Sequence, residues 1–237
     1  MEGAKLVGEA RRTGAWIDAV FIDIEAAGAA ERELAIACGL AGAEVCELQP
    51  GVLSRACATV TPQPIAAIVR AVHIELEQVP LPRRDLIVVC AGVQDPGNLG
   101  TIIRSAGAAG AGAVVCSAGS VDLYNPKTVR ASAGVLFHVP VIAGPGAGEV
   151  LEQMREWGLR RWGASADGDH VYSEVDLTEP TAFVLGNEAA GLADSLATSL
   201  DGYLRIPMAA SVESLNVATA AAVVCFEAAR QRARSGS

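Results

Sequence analysis

Apolar and polar positions along the chain follow a pattern that predicts two regions, each built from strands and helices in turn. In the first region the pattern predicts strands at 20–22, 44–48 and 65–72. It predicts helices at 2–13, 30–38 and 51–57. Alternation at this spacing is typical of a small α/β layer.

The second region begins with an uninterrupted apolar run at 86–91, which suits a strand covered on both faces. Further strands are predicted at 113–116, 138–142, 161–163, 181–185 and 203–206. Helices are predicted at 101–109, 126–132, 149–157 and 214–232, with a short helix starting near 191. We therefore predict a first domain at 1–76, a proline- and arginine-containing linker at 77–84, and a second domain at 85–237.

The last predicted helix is apolar almost all round, so we expect it to be largely buried. Glu213, Ser214 and Asn216 crowd its first turn, where backbone N–H groups are free. Such polar side chains are either caps of the helix or the floor of a binding site. The chemistry at other strand ends decides between these two interpretations.

Composition limits the class of protein. The chain has 237 residues, of which 51% are hydrophobic, so it is globular. Its longest apolar run, 217–226, is too short to span a bilayer, and we expect no membrane partner. Six cysteines show no CxxC pair and no zinc spacing, which favours buried, reduced thiols in a cytoplasmic protein without a metal site. The net charge of −9, taken alone, argues against a polyanionic partner.

Three predicted strands end in polar turns that contain glycine. The first turn carries Asn98, followed by Arg104 in the next helix. The second turn carries Glu188, and the third leads to Ser214 and Asn216. Because the carboxyl ends of parallel strands converge on one crevice, this arrangement predicts a ligand site rather than a set of caps.

Arg104 has two interpretations. It could be a solvated helix charge after a turn made by proline and glycine. However, its helix is otherwise apolar and uncharged, and a guanidinium in such a setting favours a partner or a ligand. Asp167-Gly-Asp169 is interpreted as a turn rather than as a cation site.

These residues also resemble a known family. The motifs Asn98-x5-Arg104, Leu185-Gly-Asn-Glu188 and Ile206-Pro-Met-x5-Ser214-Leu-Asn216 are similar to the three signature motifs of SpoU/TrmH-type RNA ribose 2'-O-methyltransferases of the SPOUT class. Their order and spacing match, and the resemblance covers about 86–232. The first region, especially Thr59-Val-Thr-Pro-Gln63, resembles the small ribosomal-L30e-like substrate-binding domain that precedes the catalytic domain in rRNA-modifying members.

The resemblance implies an α/β fold: a SPOUT-type parallel sheet with a deep C-terminal trefoil knot, preceded by a small L30e-like domain. It implies an enzyme that transfers a methyl group from S-adenosyl-L-methionine to a ribose 2'-hydroxyl of RNA, with 23S rRNA preferred because of the first domain. A tRNA methyltransferase and a non-catalytic RNA-binding module are the alternatives. A nucleotide-linked oxidoreductase is disfavoured because the G-x-G-x-x-G fingerprint is missing. The resemblance also implies a homodimer in which each active site draws on both chains.

Roles for individual residues follow from the resemblance. The implied catalytic residues are Asn98, Arg104, Glu188, Ser214 and Asn216. The implied donor-binding residues are Leu185, Gly186, Ile206, Met208, Leu215 and Asn216. A guanidinium almost never loses its proton, so we expect Arg104 to stabilise a developing alkoxide rather than to act as a base.

The charge of the chain complicates this interpretation, because RNA binders usually carry a basic footprint. The chain has 27 acidic residues against 18 lysines and arginines. We therefore expect RNA to bind a local stripe of cations: Arg11, Arg12, Arg55, Arg83, Arg84, Lys127 and Arg130. Trp16, Trp157 and Trp162 could stack on bases, but we favour core or interface packing for them.

Overall fold

The computed structural model describes residues 1–57, 62–80, 85–209 and 213–235. The chain divides into two compact units, Met1–Val72 and His73–Ser237. The division falls ahead of the boundary predicted at 76, because Leu76 and Val79 pack into the core of the second unit. The rest of the predicted linker, 81–84, lies outside the described residues.

The first unit is a small α/β layer, as predicted. Its helices and strands are α1 (Ala4–Arg12), β1 (Ile17–Asp23), α2 (Ala29–Leu40), β2 (Glu44–Leu48), α3 (Val52–Ala56) and β3 (Ile65–Val69). The strand order is β2-β1-β3, with β1 parallel to β2 and antiparallel to β3. Val7, Val20 and Ile65 lie fully buried in its core. The likeness to an L30e-like domain stays a prediction, and Thr59, Val60 and Thr61 of the supporting motif lie outside the described residues.

The second unit alternates strands and helices over a longer stretch. Its strands are β4 (Leu86–Cys90), β5 (Ala113–Cys116), β6 (Val141–Ala143), β7 (Arg160–Ala164), β8 (His170–Val171), β9 (Thr181–Leu185) and β10 (Gly202–Arg205). Its α-helices are α4 (Pro96–Ala108), α5 (Pro126–Ala131), α6 (Ala147–Glu156) and α7 (Val217–Ser235). Its 3-10 helices include Leu76–Gln78, Val135–Phe137 and Asp194–Ser199. The last of these replaces the short helix predicted near 191.

The second sheet has seven strands in the order β6-β5-β4-β9-β7-β10-β8, and every neighbouring pair is parallel. β4, β5 and β9 are buried at every position, which agrees with their uninterrupted apolar sequences. The predicted parallel sheet is therefore confirmed. The trefoil knot stays a prediction, since the segment between β10 and α7 includes 210–212, which the structure does not describe.

α4 begins at Pro96 rather than at 101. Asp95 caps the helix, because its carboxylate accepts a hydrogen bond from the backbone N–H of Asn98 at 2.8 Å. Pro96 suits the first helical position, where no backbone donor is needed. Asn98 and Gly100 therefore lie in the first turns of the helix and not in the preceding loop.

α7 begins at Val217 rather than at 214. Asn216 precedes it, and its side-chain oxygen accepts hydrogen bonds from the backbone N–H groups of Ala218 at 2.9 Å and Thr219 at 3.3 Å. Asn216 is therefore the cap of the helix. Ser214, which the pattern placed in the first helical turn, lies before the helix.

Only one face of α7 is buried, so the prediction that the helix is largely buried is wrong. Ala221, Val224 and Cys225 are buried, whereas Phe226 is 52% exposed. The small alanine side chains let one side of the helix pack closely on the sheet and α4, and the other side stays open. Apolar composition alone cannot distinguish these two sides.

The six cysteines are free, and four of them, Cys38, Cys90, Cys116 and Cys225, are buried as predicted. Burial raises the pKa of the Cys225 thiol to about 12, so this thiol stays protonated at neutral pH. Cys46 and Cys57 are half-buried. Within the described ranges, no helix has the length and apolar character needed to cross a membrane.

Candidate active site

The N-terminus of α4 is linked to the next helix by an ion pair. Asp95, the cap of α4, accepts a hydrogen bond from Lys127 Nζ at 2.9 Å. That ammonium, together with the backbone N–H of Asn98, holds the pKa of the Asp95 carboxyl below its ordinary value. Lys127 stands near the start of α5, where Asn125 accepts a hydrogen bond from its backbone N–H at 2.9 Å. The pair holds the cation beside the start of α4.

Glycines allow α4 and α5 to pack in close contact. A Cβ added at Gly100 would lie 2.4 Å from the carbonyl oxygen of Thr128 and 2.6 Å from the Cβ of Ala131. A Cβ added at Gly97 would lie 3.1 Å from Cε of Lys127. Larger residues at these positions would push the helices apart, so the glycines allow Lys127 to reach across α4.

Asn98, Glu188 and Asn216, one from each motif, are joined by hydrogen bonds. Asn98 Nδ2 donates to Glu188 Oε1 at 3.0 Å, and Asn216 Nδ2 donates to Asn98 Oδ1 at 2.9 Å. The Glu188 carboxylate also accepts the backbone N–H groups of Gln94 and Asp95, both at 3.0 Å. Burial pushes the pKa of Glu188 up, but these hydrogen bonds outweigh burial and hold the pKa below its ordinary value. The predicted convergence is confirmed for these three side chains.

The turn after β9 is tied to the turn after β4. Asn187 Nδ2 donates to the carbonyl oxygen of Gly92 at 3.1 Å, and its Oδ1 accepts the backbone N–H of Ala189 at 2.9 Å. A Cβ at Gly186 would lie 2.3 Å from the carbonyl carbon of Gly191. Only glycine therefore fits this turn without displacing the backbone around Glu188.

The carboxyl ends of β7, β9 and β10 and the start of α7 surround a cavity of about 590 Å³, here called the strand-end pocket. The predicted site residues that line it are Gly186, Glu188, Ile206, Met208, Ser214 and Leu215. Among the residues that the structure describes, the charged residues of its lining are Asp167, Glu188 and Asp194, which are all acidic. Leu185 does not line it, because that side chain is fully buried and its carbonyl accepts the backbone N–H of Ala91 at 2.7 Å.

A second cavity, of about 670 Å³, lies between α4, α5 and α7 and is here called the helix pocket. Asn98 and Asn216 line it, although Asn216 was also predicted to bind the donor. Lys127 and Arg130, which were predicted to bind RNA, line it as well. Asp95 is its one acidic lining residue among those described, so the cations outnumber the carboxylates here.

Arg104 lines neither pocket. Ile102 and Ile103 beside it are buried, whereas Arg104 is exposed on the open side of α4. Its side chain makes no hydrogen bond or ion pair with any residue that the structure describes. Arg104 therefore shares a helix with Asn98 but lies outside both cavities of its own chain.

Residues 85–226 match the SpoU rRNA methylase family. The chain belongs to this family. It is 34% identical over 226 residues to the 23S rRNA (guanosine(2553)-2'-O)-methyltransferase RlmP of Bacillus subtilis, covering 95% of this chain and 86% of the relative. It is 39% identical over 176 residues to the 23S rRNA (uridine(2479)-2'-O)-methyltransferase of Streptomyces viridochromogenes, covering 72% of this chain and 61% of that relative.

A solved SpoU structure has a similar fold. It is the SpoU methyltransferase AviRb from Streptomyces viridochromogenes in complex with the cofactor AdoMet, with a TM-score of 0.88 and 33% sequence identity. The similarity covers 98% of this chain and 89% of that one. The resemblance of the three motifs to the SpoU family and the expected SpoU-type parallel sheet are thus confirmed.

The other cations predicted to bind RNA lie elsewhere in this SpoU chain. Arg11 and Arg12 are exposed at the end of α1, and Arg55 is exposed on α3, so all three belong to the first unit. Arg83 and Arg84 fall outside the described residues. Of the cations predicted to bind RNA, only Lys127 and Arg130 line a pocket together with motif residues in the part of the chain that the structure describes.

Some residues that line the strand-end pocket lie outside the three SpoU motifs. Ser165 and Asp167 follow β7, Asp194 begins a 3-10 helix, and Tyr203 belongs to β10. β7 runs parallel to β9 and ends at the same edge of the sheet. Asp167 thus follows a strand end as Glu188 does, and this position was the signal for a site residue in a run interpreted above only as a turn.

Proposed function

We propose that this SpoU protein transfers a methyl group from S-adenosyl-L-methionine to a ribose 2'-hydroxyl of 23S rRNA. The main support is the hydrogen-bonded chain of Asn98, Glu188 and Asn216. Of these three residues, Glu188 lines the acidic strand-end pocket, and Asn98 and Asn216 line the cationic helix pocket. Two relatives are named for this reaction at different nucleotides of 23S rRNA, which supports the reaction and leaves the nucleotide to be mapped.

The strand-end pocket suits the donor. Its volume of about 590 Å³ falls in the usual range for small-molecule sites. Ile206 and Leu215 offer apolar surface for an adenine ring, and Asp194 offers a carboxylate to ribose hydroxyls. When bound, S-adenosyl-L-methionine supplies a methyl group activated by a positively charged sulfur. Glu188, whose pKa is held below its ordinary value by hydrogen bonds to its carboxylate, would stabilise positive charge in this pocket.

The helix pocket suits the acceptor. Lys127 and Arg130 would bind the phosphates beside the target nucleotide, and such contacts supply much of the affinity for RNA. Asn98 would hold the ribose, and Glu188 would orient the Asn98 amide through their hydrogen bond. The acceptor would then be aligned with the neighbouring donor. Alignment of this kind contributes up to about 7–11 kcal/mol in well-oriented reactions.

Arg104 would stabilise the negative charge that develops on the 2'-oxygen as the hydroxyl loses its proton to water. A guanidinium keeps its own proton at neutral pH, so Arg104 is not the base. Because it lies outside both pockets of its own chain, we propose that it completes the site of a second copy in a homodimer. The exposed Phe226 supports such a contact between copies. It offers apolar surface on α7, which packs against α4, the helix that carries Arg104.

Ser214 and Asn216 would shape the site rather than carry the chemistry. Ser214 lines the strand-end pocket, and Asn216 caps α7 and fixes Asn98. We further propose that the first unit is an L30e-like substrate-binding domain whose exposed arginines extend the contact with RNA. The proposed location is the cytoplasm, where a bacterial rRNA substrate is found.

Methyl transfer to purified RNA tests the proposal. Labelled donor is supplied with 23S rRNA, large ribosomal subunits or bulk tRNA in separate reactions. We expect label in 23S rRNA, at a 2'-O position located by mass spectrometry of nuclease fragments. Asn98→Ala should lose transfer and keep donor binding in calorimetry, because Asn98 lines the helix pocket only. Label in tRNA alone, or donor binding without transfer to any RNA, would refute the proposal in favour of the corresponding alternative.

A further inference from the structure

The first unit carries an exposed indole in contact with a cation. Core or interface packing was expected for Trp16, and its exposure of 62% excludes the core. The guanidinium carbon of Arg70 lies 4.7 Å from the centre of the Trp16 ring, within the range of a cation–π contact. Most of the indole surface remains open, so the ring can contact a further planar group.

The sheet holds this pair in place. The backbone carbonyl of Trp16 accepts the N–H of Arg70 at 2.9 Å, which extends the antiparallel pairing of β1 with β3. The pairing shifts between Ile17 and Ala19, and Asp18 lies at this bulge. Asp18 Oδ1 accepts hydrogen bonds from Trp16 Nε1 at 2.9 Å and from Arg70 Nε at 3.1 Å. The ring and the guanidinium are therefore preorganised.

Two further cations lie at the end of the preceding helix. Arg11 and Arg12 are exposed at the end of α1, and only the turn at 13–15 separates this helix end from Trp16. Arg12 pairs with Glu9 at 2.7 Å. The Arg11 side chain makes no ion pair or hydrogen bond with the part of the chain that the structure describes. The indole is thus accompanied by positive charge in a chain that is acidic as a whole.

We propose that Trp16 and Arg70 form a stacking site for an unpaired RNA base, with Arg11 and Arg12 binding the phosphates beside it. This inference rests on the proposed function, which makes RNA the partner, and it adds a contact outside the three motifs. Bases in single-stranded RNA stack readily on aromatic rings and guanidinium planes, whereas bases in a duplex already stack on one another. The ligand is a single-stranded stretch of the substrate RNA.

Charge distinguishes this surface from a docking patch for protein. On α2, Ile36 and Leu40 are 63% and 87% exposed, and Val45 of β2 lies beside the same helix. That apolar patch suits a protein partner better. Around Trp16, by contrast, the side chains described above are arginines and carboxylates. Arg11 adds a cation that pairs with none of the described carboxylates, and an aromatic ring accompanied by such a cation fits a base together with its phosphates.

Binding of short RNAs to the 237-residue protein without donor tests the stacking site. Fluorescence anisotropy is measured with a labelled single-stranded oligoribonucleotide and with the same sequence in a duplex. We expect the single strand to bind more tightly, and Trp16→Ala to weaken its binding by between about 5- and 150-fold. Trp16→Phe keeps an aromatic ring and should retain most of the affinity. Leu40→Ala, the control on the apolar patch, should bind as the wild type does, and thermal melting checks that each variant is folded.

Unchanged affinity in Trp16→Ala would overturn the stacking site and leave a protein contact as the use of this surface. An equal loss in Leu40→Ala, no preference for the single strand, or a wild type that binds neither RNA would also overturn it. Methyl transfer separates this inference from the proposed function. If the wild type methylates 23S rRNA while Trp16→Ala keeps the same KM, only the stacking site fails. If Trp16 proves essential for RNA binding while the wild type transfers no methyl group, only the proposed function fails.

Discussion

The strand-end pocket and the helix pocket differ in construction and in charge. The strand-end pocket lies at the carboxyl ends of β7, β9 and β10, and its charged lining residues are acidic. The helix pocket lies between α4, α5 and α7, and its charged lining among the described residues consists of Lys127, Arg130 and Asp95. The proposed donor is a cation and the proposed acceptor is a polyanion. The acidity of the whole chain therefore does not conflict with RNA binding, because the two signs of charge are separated within one site.

The two pockets are joined by few side chains. Glu188 lines the strand-end pocket, Asn98 and Asn216 line the helix pocket, and hydrogen bonds connect all three. A substitution in the lining of one pocket should therefore change the affinity for one ligand and leave the affinity for the other unchanged. Arg104, which belongs to neither pocket, should affect the rate alone.

Arg104→Ala should have the largest effect. We expect methyl transfer to fall by about 10²–10³-fold, as when one group that stabilises developing negative charge is removed. Donor affinity should stay unchanged, because Arg104 does not line the strand-end pocket. Single-turnover assays measure the rate, and calorimetric titration measures donor affinity. Arg160→Ala, an exposed arginine at the start of β7, is the control and should keep the rate. Equal losses of rate and donor affinity would instead assign Arg104 to the donor site.

Alanine substitutions at two glycines should separate the pockets. In Gly186→Ala the new Cβ would lie 2.3 Å from the carbonyl of Gly191, so donor affinity should fall about tenfold or more. In Gly100→Ala it would lie 2.4 Å from the carbonyl oxygen of Thr128, so RNA affinity should fall instead. Each variant should also lose about 1–3 kcal/mol of unfolding free energy.

Gly148→Ala in α6 is the matched control for these glycines, because nothing lies within 4 Å of a Cβ added there. It should gain about 0.5–1 kcal/mol of unfolding free energy and leave both affinities unchanged. Denaturant titration measures stability, and calorimetry and anisotropy measure the affinities. If Gly100→Ala reduced donor affinity as strongly as Gly186→Ala, the two pockets would behave as one site.

Glu188→Gln should destabilise the protein by about 1 kcal/mol at neutral pH, because an amide nitrogen would face backbone N–H donors. The folded state lowers the pKa of Glu188, so the carboxylate stabilises the fold above the ordinary glutamate pKa. That stabilisation is lost as the pH falls through the lowered pKa of the folded state. Melting curves of variant and wild type should therefore approach each other at acidic pH. Glu33→Gln, an exposed change on α2, is the control; a pH-independent difference for Glu188→Gln would contradict the linkage.

Lys127→Met should have the smallest effect. Loss of one phosphate contact should weaken RNA binding a few-fold and reduce the slope of log affinity against log salt by about one. Stability should change by less than about 1 kcal/mol, since the pair with Asp95 is well exposed to solvent. Anisotropy titrations over a range of salt concentrations measure the slope. Arg155→Met, which breaks an exposed ion pair on α6, should leave the slope unchanged.

Strong local patterns predicted most of the second sheet. β5 and β9 begin and end where the apolar runs placed them, because a strand buried on both faces must be apolar throughout. Helix starts were harder to predict. α4 and α7 begin where Asp95 and Asn216 accept particular backbone hydrogen bonds, and many polar residues nearby could have served as caps.

The sequence by itself determined the family, the parallel sheet and the three motif residues that meet. Only the tertiary structure decided that the site has two pockets, that Arg104 lies outside both, and that Trp16 is exposed. The physical reason is that apolar spacing records whether a segment is buried, while the direction of one side chain depends on distant residues that pack around it. Asn98 and Glu188, which are 90 positions apart, acquire their hydrogen bond only when the sheet has formed.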